Sequence, residues 1–296
     1  MSIPNRSFLL RHRLITFFRD LDIKGIRRLS VVLPKVLLPA PEKVGKHVLK
    51  TIHGVDLLID PSVDEGVELS LFQTGTYERG TIQLLHDFLQ PGDTFLDVGA
   101  NIGLMSSVAS KIVGSSGLVY AVEANPKTLD ILSHNLNLNN CENTQILPLA
   151  VSNEKGEATL YENWSVNRGG SSLLSQGDQE GIKVPMERLD DLFSEDTPLK
   201  LVKMDVEGVE PAVLEGGQNW FRKQQPVFII EVSTEREFEA GATAKDVLKM
   251  LETIGKFTIY KQKSSKERRG KLIEITSDDA LPKHDNIICI PLKRLN

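Results

Sequence analysis

The chain has 296 residues, 40% apolar and 25% charged, which is enough for one good core and one main domain with an extension. A formal charge of −5 gives no global basic field, so nucleic acid is not the expected partner. Only two cysteines occur, Cys141 and Cys289, far apart and in no metal-type spacing, which fits a reducing, cytoplasmic setting, and no apolar run reaches the roughly 20 residues that span a bilayer.

The charge is unevenly spread. Residues 1–50 carry eleven Lys or Arg against three acids, a balance of +8, so the rest of the chain carries about −13. Within this stretch Leu10, Leu14, Phe17, Phe18 and Leu21 fall at helical spacing. The spacing predicts a helix that packs this stripe on the main domain, a reading preferred over a membrane-surface helix. Pro4, Arg6, Arg11 and Arg13 interrupt the opening too often for a secretion signal. Pro34, Pro39 and Pro41 predict a linker, which divides the chain into a basic extension (1–50) and a main domain (51–296).

From Thr51 the pattern becomes domain-like. Residues 52–59 read as a strand with a turn, and 81–89 as an amphipathic helix that stops at Pro91-Gly92. Between them Gly75-Thr-Tyr-Glu78 reads either as a lid folded over a ligand, with Tyr77 and Glu78 inward, or equally as a turn whose tyrosine packs on the domain. Strands are then expected near 94–98, 118–123, 144–149, 200–204 and 227–231, and helices near 103–112, 126–138, 208–215 and 244–253. This alternation implies right-handed crossovers and an α/β, doubly wound, mostly parallel sheet. Residues 257–260 and 286–290 lack an intervening helix and predict an antiparallel pair at the C-terminal edge, joined through a charged loop from Gln262 to Gly270. The insertion 151–190 has short strands of its own, such as 158–161.

Ligands of open parallel sheets gather at the carboxyl ends of the strands, so the residues there carry the chemistry. The first strand ends Asp97-Val-Gly-Ala-Asn-Ile-Gly103 and passes straight into a helix. Glycines at that turn bring backbone N–H groups and a helix N-terminus toward a ligand. The spacing Gly99-x-x-x-Gly103, with Asn101 between, is not the dinucleotide Gly-x-Gly-x-x-Gly, and the acid Asp97 suits a ligand with a positive end. S-adenosylmethionine, with its ammonium and sulfonium groups, has that end. The second strand ends in Glu123, placed to accept from the ribose hydroxyls of a nucleoside, followed by Asn125 and Pro126 at a helix start. The plainer alternative has Asp97 serving the next helix and Glu123 solvated.

The fourth strand leads into Asp205, Glu207 and Glu210, and the fifth ends in Glu231. Acids so close repel unless a cation, a donor-rich substrate or solvent neutralises them. Asp205 is read as catalytic or substrate-binding, and Glu210 as the acid most suited to the helix dipole. Glu231 is either a substrate contact or a buried partner of Lys203. A divalent metal on this rim ranks below the metal-free reading, since no ligand set is complete. His134 and His284 have no visible metal partners. Arg168-Gly-Gly-Ser-Ser172 is a donor-rich loop that either contacts substrate hydroxyls or, as is the default for glycine-serine runs, is only a surface loop.

The strings D-V-G-A-N-I-G at 97–103, V-E-A-N-P at 122–126, K-M-D-V-E-G-V-E at 203–210 and P-V-F-I-I-E at 226–231, with T-G-T-Y-E at 74–78 and A-V-S-N at 150–153, resemble the FkbM family of S-adenosylmethionine-dependent methyltransferases. The similarity covers about residues 70–235. It implies a class I methyltransferase (Rossmann-like) fold and O-methylation of a sugar, glycolipid or polyketide-like hydroxyl, so a small-molecule or glycan acceptor. On this resemblance Asp97, Gly99, Asn101, Gly103 and Glu123 would bind the cofactor, with Asn125 and Glu78 beside them. The resemblance puts Asp205, Glu207 and Glu210 in an acidic signature near the acceptor; the residues themselves are read with Asp205 and Glu207 as catalytic and Glu210 and Glu231 as acceptor contacts. Asn153 stands where the family often has Asp, which weakens any adenine-side role there. An NAD(P)-dependent oxidoreductase and a non-catalytic S-adenosylmethionine-binding module are the rival readings. The missing dinucleotide glycines count against the first, and the acids on the fourth and fifth strands against the second.

Overall fold

The computed structural model describes residues 5–20, 32–34, 36–161, 173, 181–233 and 242–294; the expected loop 168–172 lies outside them. Eight strands form the main sheet. Five run parallel: β5 (Thr144–Leu147), β4 (Leu118–Val122), β3 (Thr94–Val98), β9 (Leu201–Met204) and β10 (Val227–Ser233), in that spatial order. The chain builds outward from β3 to β4 and β5, then returns to the other side of β3 for β9 and β10. The order therefore reverses between β3 and β9, and a crevice opens there at the strand ends.

The C-terminal edge is antiparallel, as expected, with one more strand than the pair read from the sequence. β13 (His284–Pro291) inserts between β10 and β11 (Phe257–Gln262), and β12 (Leu272–Glu274) closes the edge. Placing β13 there aligns Glu231 with Asn286 and swings the loop after β11 back toward the strand ends.

Period-two burial explains why both sheet faces are covered. Phe95, Leu201 and Ile229 face one core with Leu85 and Val108 from the helices α3 (Arg79–Phe88) and α4 (Leu104–Val113). Leu96, Val202 and Ile230 face the other, with Val213, Trp220 and Leu251 from α7 (Glu210–Gly216), α8 (Gln218–Gln224) and α9 (Ala244–Ile254). Such strands, buried on both faces, read as continuous apolar runs. Trp220 is fully buried, stacks on Phe193 with centroids 4.3 Å apart, and donates its indole N–H to Thr197 O at 2.8 Å. Trp220→Ala should therefore cost about 3–5 kcal/mol, read as a shift in the denaturant midpoint.

Three expectations are corrected. The strand predicted over 52–59 is a hairpin, β1 (His47–Lys50) against β2 (Asp56–Ile59), because its turn residues form the hairpin loop. Pro34 lies buried among helical residues rather than in a linker. The amphipathic helix α1 (Asn5–Asp20) forms, but it buries His12, Ile15 and Thr16 and turns Leu10, Leu14 and Phe17 to solvent. The face that docks is chosen by a hydrogen bond, His12 Nε2 to Phe72 O at 2.7 Å, and by the bare surface of Gly75 beneath it. No helix of the described residues is long and apolar enough to cross a membrane.

The insertion forms a small sheet of β6 (Ala150–Val151), β8 (Gly181–Glu187) and β7 (Gly156–Tyr161), whose Leu160 reaches the mouth of the crevice. Ahead of α3 a helix missed in the sequence, α2 (Val67–Thr74), brings Val67 to the same cavity.

Candidate active site

The turn after β3 is fixed by the backbone. Gly99 and Ala100 both donate to Val122 O, at 3.0 and 2.9 Å, and Asp205 N donates to Val98 O. Gly99 has φ +81°, and a Cβ on it would lie 2.0 Å from Asp205 O. Glycine is required here by the close approach of β9 as well as by the left-handed backbone. Asn101 also has a positive φ, and its N–H donates to Glu123 Oε2 at 2.9 Å.

Glu123 stands at the end of β4. Asn101, Ala124 and Asn125 all direct backbone N–H groups at its carboxylate. Burial raises this carboxyl above its ordinary value, and those three donors oppose the rise. A carboxylate offers about four lone-pair sites, so about one remains for a ribose hydroxyl, fewer than the two expected from sequence.

At the other end of the crevice the charges interlock. Lys203 Nζ lies 3.1 Å from Asp205 Oδ2 and is almost fully buried. This pairing answers the question left open by the sequence: the partner of Lys203 is Asp205. Glu231 instead meets Lys266 Nζ and His284 Nε2, the latter at 3.2 Å. Lys266 also reaches Glu78 Oε1 at 3.0 Å, and Glu78 accepts from Thr81 Oγ1 at 2.9 Å. The oxygens of Asp205, Glu207 and Glu231 lie within 4.8 Å of one another.

These contacts separate the carboxyl groups electrically. Burial would raise Asp205, but Lys203 holds it below the usual carboxylate range. Burial together with the charges of Asp205 and Glu231 pushes Glu207 up to about 8. Burial and Asp205 push Glu231 up to about 7. At neutral pH the trio thus carries fewer than three negative charges and titrates as a unit. An unfolded Glu ionises near 4.5, so the folded protein holds these protons more tightly and loses stability as the pH rises from about 4.5 to about 8. The melting temperature of the ligand-free protein should fall across that window, and Glu207→Gln should flatten its upper part. Asp205 works in the opposite sense, with its stabilisation present above the unfolded value and lost as the pH falls into the acid range.

Of the residues expected at the site, Glu78, Gly99, Asn101, Glu123, Asp205, Glu207 and Glu231 line one cavity. Four others do not. Asp97 is fully buried behind the wall, accepts from Ser106 Oγ at 2.5 Å, and sits in register with Lys203. Among the described residues its Oδ1 has no hydrogen-bond partner, and burial raises its carboxyl to about 6 against the pull of Lys203. Its direct contact is with α4 and not with the cavity, close to the plainer alternative above. Gly103 forms the N-cap of α4 under Leu132. Asn125 caps α5 (Pro126–Leu138), accepting from Lys127 N at 2.9 Å. Glu210 accepts from Gly208 N at 3.1 Å and from Val206 N at 3.3 Å, which stabilises the turn into α7. Sequence reasoning missed Lys266, because it lies on the edge loop that was read as merely charged. It also gave no role to His284, which lines the cavity and meets Glu231.

The cavity fits S-adenosylmethionine in three respects. Gly99 lies between the strand-end acids with no side chain to intrude, Glu123 keeps about one acceptor site, and the wall beside it is apolar through Leu104, Leu149 and Leu160.

A profile of the methyltransferase FkbM domain matches residues 97–261. A ribosomal protein L11 methyltransferase from Caldanaerobacter subterraneus subsp. tengcongensis is 34% identical over 130 residues, which is 40% of this chain and 40% of that protein. The chain thus spans about two fifths of the length of the curated relatives it matches. Among solved structures, an FkbM methyltransferase from Methylobacillus flagellatus aligns over 75% of this chain and 52% of its own, at 14% identity and a TM-score of 0.43. An rRNA methylase from Streptococcus thermophilus aligns over 72% and 94%, at 12% identity and a TM-score of 0.40. The curated relatives are named for a ribosomal-protein acceptor, so the expectation that nucleic acid is excluded and the acceptor is small does not stand. Net charge averages over the whole surface, whereas a partner meets one face, and residues 1–50 alone carry +8. With the domain matched across more than half its length, this chain belongs to the FkbM methyltransferase family, and its cofactor is S-adenosylmethionine.

Proposed function

We propose that this protein is an O-methyltransferase whose acceptor is a hydroxyl of a sugar, glycolipid or polyketide-like molecule. The observation that carries the reading is the order of polar groups along the sheet rim. Glu123, Gly99 and Asp205 follow the last residues of β4, β3 and β9, and Glu231 holds the matching register position in β10, so the four succeed one another in steps of roughly 4.8 Å. Such a row matches a long ligand lying across the rim, its nucleoside at Glu123, with the acceptor at the acidic end. Bound S-adenosylmethionine supplies an electrophilic methyl group on sulfur.

The chain then has two tasks, alignment and proton removal. Holding an acceptor in attack geometry is worth roughly 7–11 kcal/mol. Asp205, kept ionised by Lys203, accepts a hydrogen bond from an acceptor hydroxyl and fixes its direction. Glu207, with its raised carboxyl facing the cavity, takes the proton as the oxygen attacks. A carboxylate whose pKa lies near the working pH suits that exchange. Glu231 is held by Lys266 and His284, so it serves as a second anchor.

The experiment is calorimetry with S-adenosylmethionine, followed by mass spectrometry of glycans, glycolipids and small metabolites incubated with the full chain and the donor. Donor uptake and a gain of one CH₂ on an acceptor oxygen support the reading. No uptake overturns it, and methylation on nitrogen or carbon overturns the O-specificity. A macromolecular acceptor is the second reading, favoured by the L11 match; transfer to ribosomal protein or rRNA in the same assay would put it first.

A further inference from the structure

We propose that the solvent face of α1 is a docking surface for an anionic lipid bilayer. The helix inverts the usual arrangement of an amphipathic surface element. His12, Ile15 and Thr16 face the protein, while Leu10, Leu14 and Phe17, about one turn apart along a single face, are 70%, 44% and 58% exposed. A stripe at i, i+4 and i+7 has the spacing of one helix side. Val36, also exposed at 73%, stands on a segment that Arg11 ties to the helix by donating to Leu37 O at 2.7 Å.

Charge decides the occupant. The patch lies in the part of the chain that carries +8, and the exposed Arg13 shares its face. Aliphatic and aromatic side chains flanked by arginines match a lipid surface, where the apolar groups enter the acyl boundary and the guanidinium groups meet phosphates. A nucleic acid would use the arginines and leave Leu10 and Leu14 without a role. A second copy of this chain would bring another +8 against the first.

The position gives the docking a consequence. The buried side of α1 rests on Phe72 and Gly75, and Tyr77 and Glu78, two and three residues further on, line the active-site cavity. A bilayer held by the outer face of α1 would therefore lie across that one helix from residues 75–78. This inference does not depend on which hydroxyl is methylated.

The test is co-sedimentation of the full chain with phosphatidylcholine vesicles, with and without phosphatidylglycerol, at low and high salt. Binding is expected to the anionic vesicles, to weaken with salt, and to fall about tenfold or more in the pair Leu14→Asp with Phe17→Asp. The pair should keep the wild-type circular dichroism and S-adenosylmethionine uptake, which separates a lost surface from a lost fold. Failure of the wild type to sediment with anionic vesicles overturns the proposal, as does full binding by the double variant. Two further results overturn it: a salt-sensitive complex with an RNA hairpin in place of vesicle binding, and a dimer that the double variant dissociates.

Discussion

Glu207→Gln is expected to cut methyl transfer by about 10²–10⁴-fold while donor binding stays intact. The amide keeps the size of the side chain and removes only its ability to take a proton. The wild-type rate should rise with pH toward a plateau above about 8, the region in which burial and two neighbouring carboxylates place this group. In the variant that acidic limb should be gone. If Glu207→Gln retains wild-type turnover and the same pH profile, the proton goes elsewhere. Asp205 needs a different substitution. Asp205→Ala would strand the nearly buried Lys203 without its 3.1 Å partner, and breaking a buried pair costs about 3–5 kcal/mol. Asp205→Asn keeps an oxygen for Lys203 Nζ but not the charge, so a loss of turnover in that variant reports on the acceptor only where its denaturation midpoint stays near that of the wild type.

Gly99→Ala should cost about 3 kcal/mol or more and abolish donor uptake. Two separate penalties meet there. The backbone has φ +81°, and the added methyl would overlap Asp205 O, a backbone atom that cannot swing aside. Gly114→Ala is the control, because Gly114 also has a positive φ but faces open space. Its cost should be the strain alone, about 1–3 kcal/mol, with donor uptake unchanged. Chemical denaturation and calorimetry on both variants measure the difference. If Gly99→Ala is no worse than Gly114→Ala, the close approach of β9 does not matter for the site.

Much of the scaffold was legible because its cues are local. The parallel strands were found within a residue or two, since apolar runs bounded by Pro, Gly and acids are written in consecutive positions. α5 matches its expected span, 126–138, because Asn125 and Pro126 mark its start. α2 and α8 were missed. α2 has no side-chain cap and spans only eight residues, too few for an amphipathic period to mark it, and α8 follows α7 with a single residue between them.

The site divides along the same line. The sequence by itself determined the sheet, the glycine turn, the acids at the strand ends and the family they resemble, because each is carried by neighbouring residues on one strand or turn. Only the tertiary structure decided which acids share a cavity. Asp97 and Glu210 are as acidic in the sequence as Glu123 and Glu207, yet one is sealed behind α4 and the other is spent on backbone N–H groups. Lys266 lies far along the chain and reaches Glu78 and Glu231 because β13 inserts beside β10 and carries the edge hairpin back over the rim. The face that α1 buries was likewise set by His12 meeting Phe72 O. Burial and charge pairing arise from residues distant in sequence, and those contacts, more than residue type, fix where a carboxylate points and whether it holds its proton.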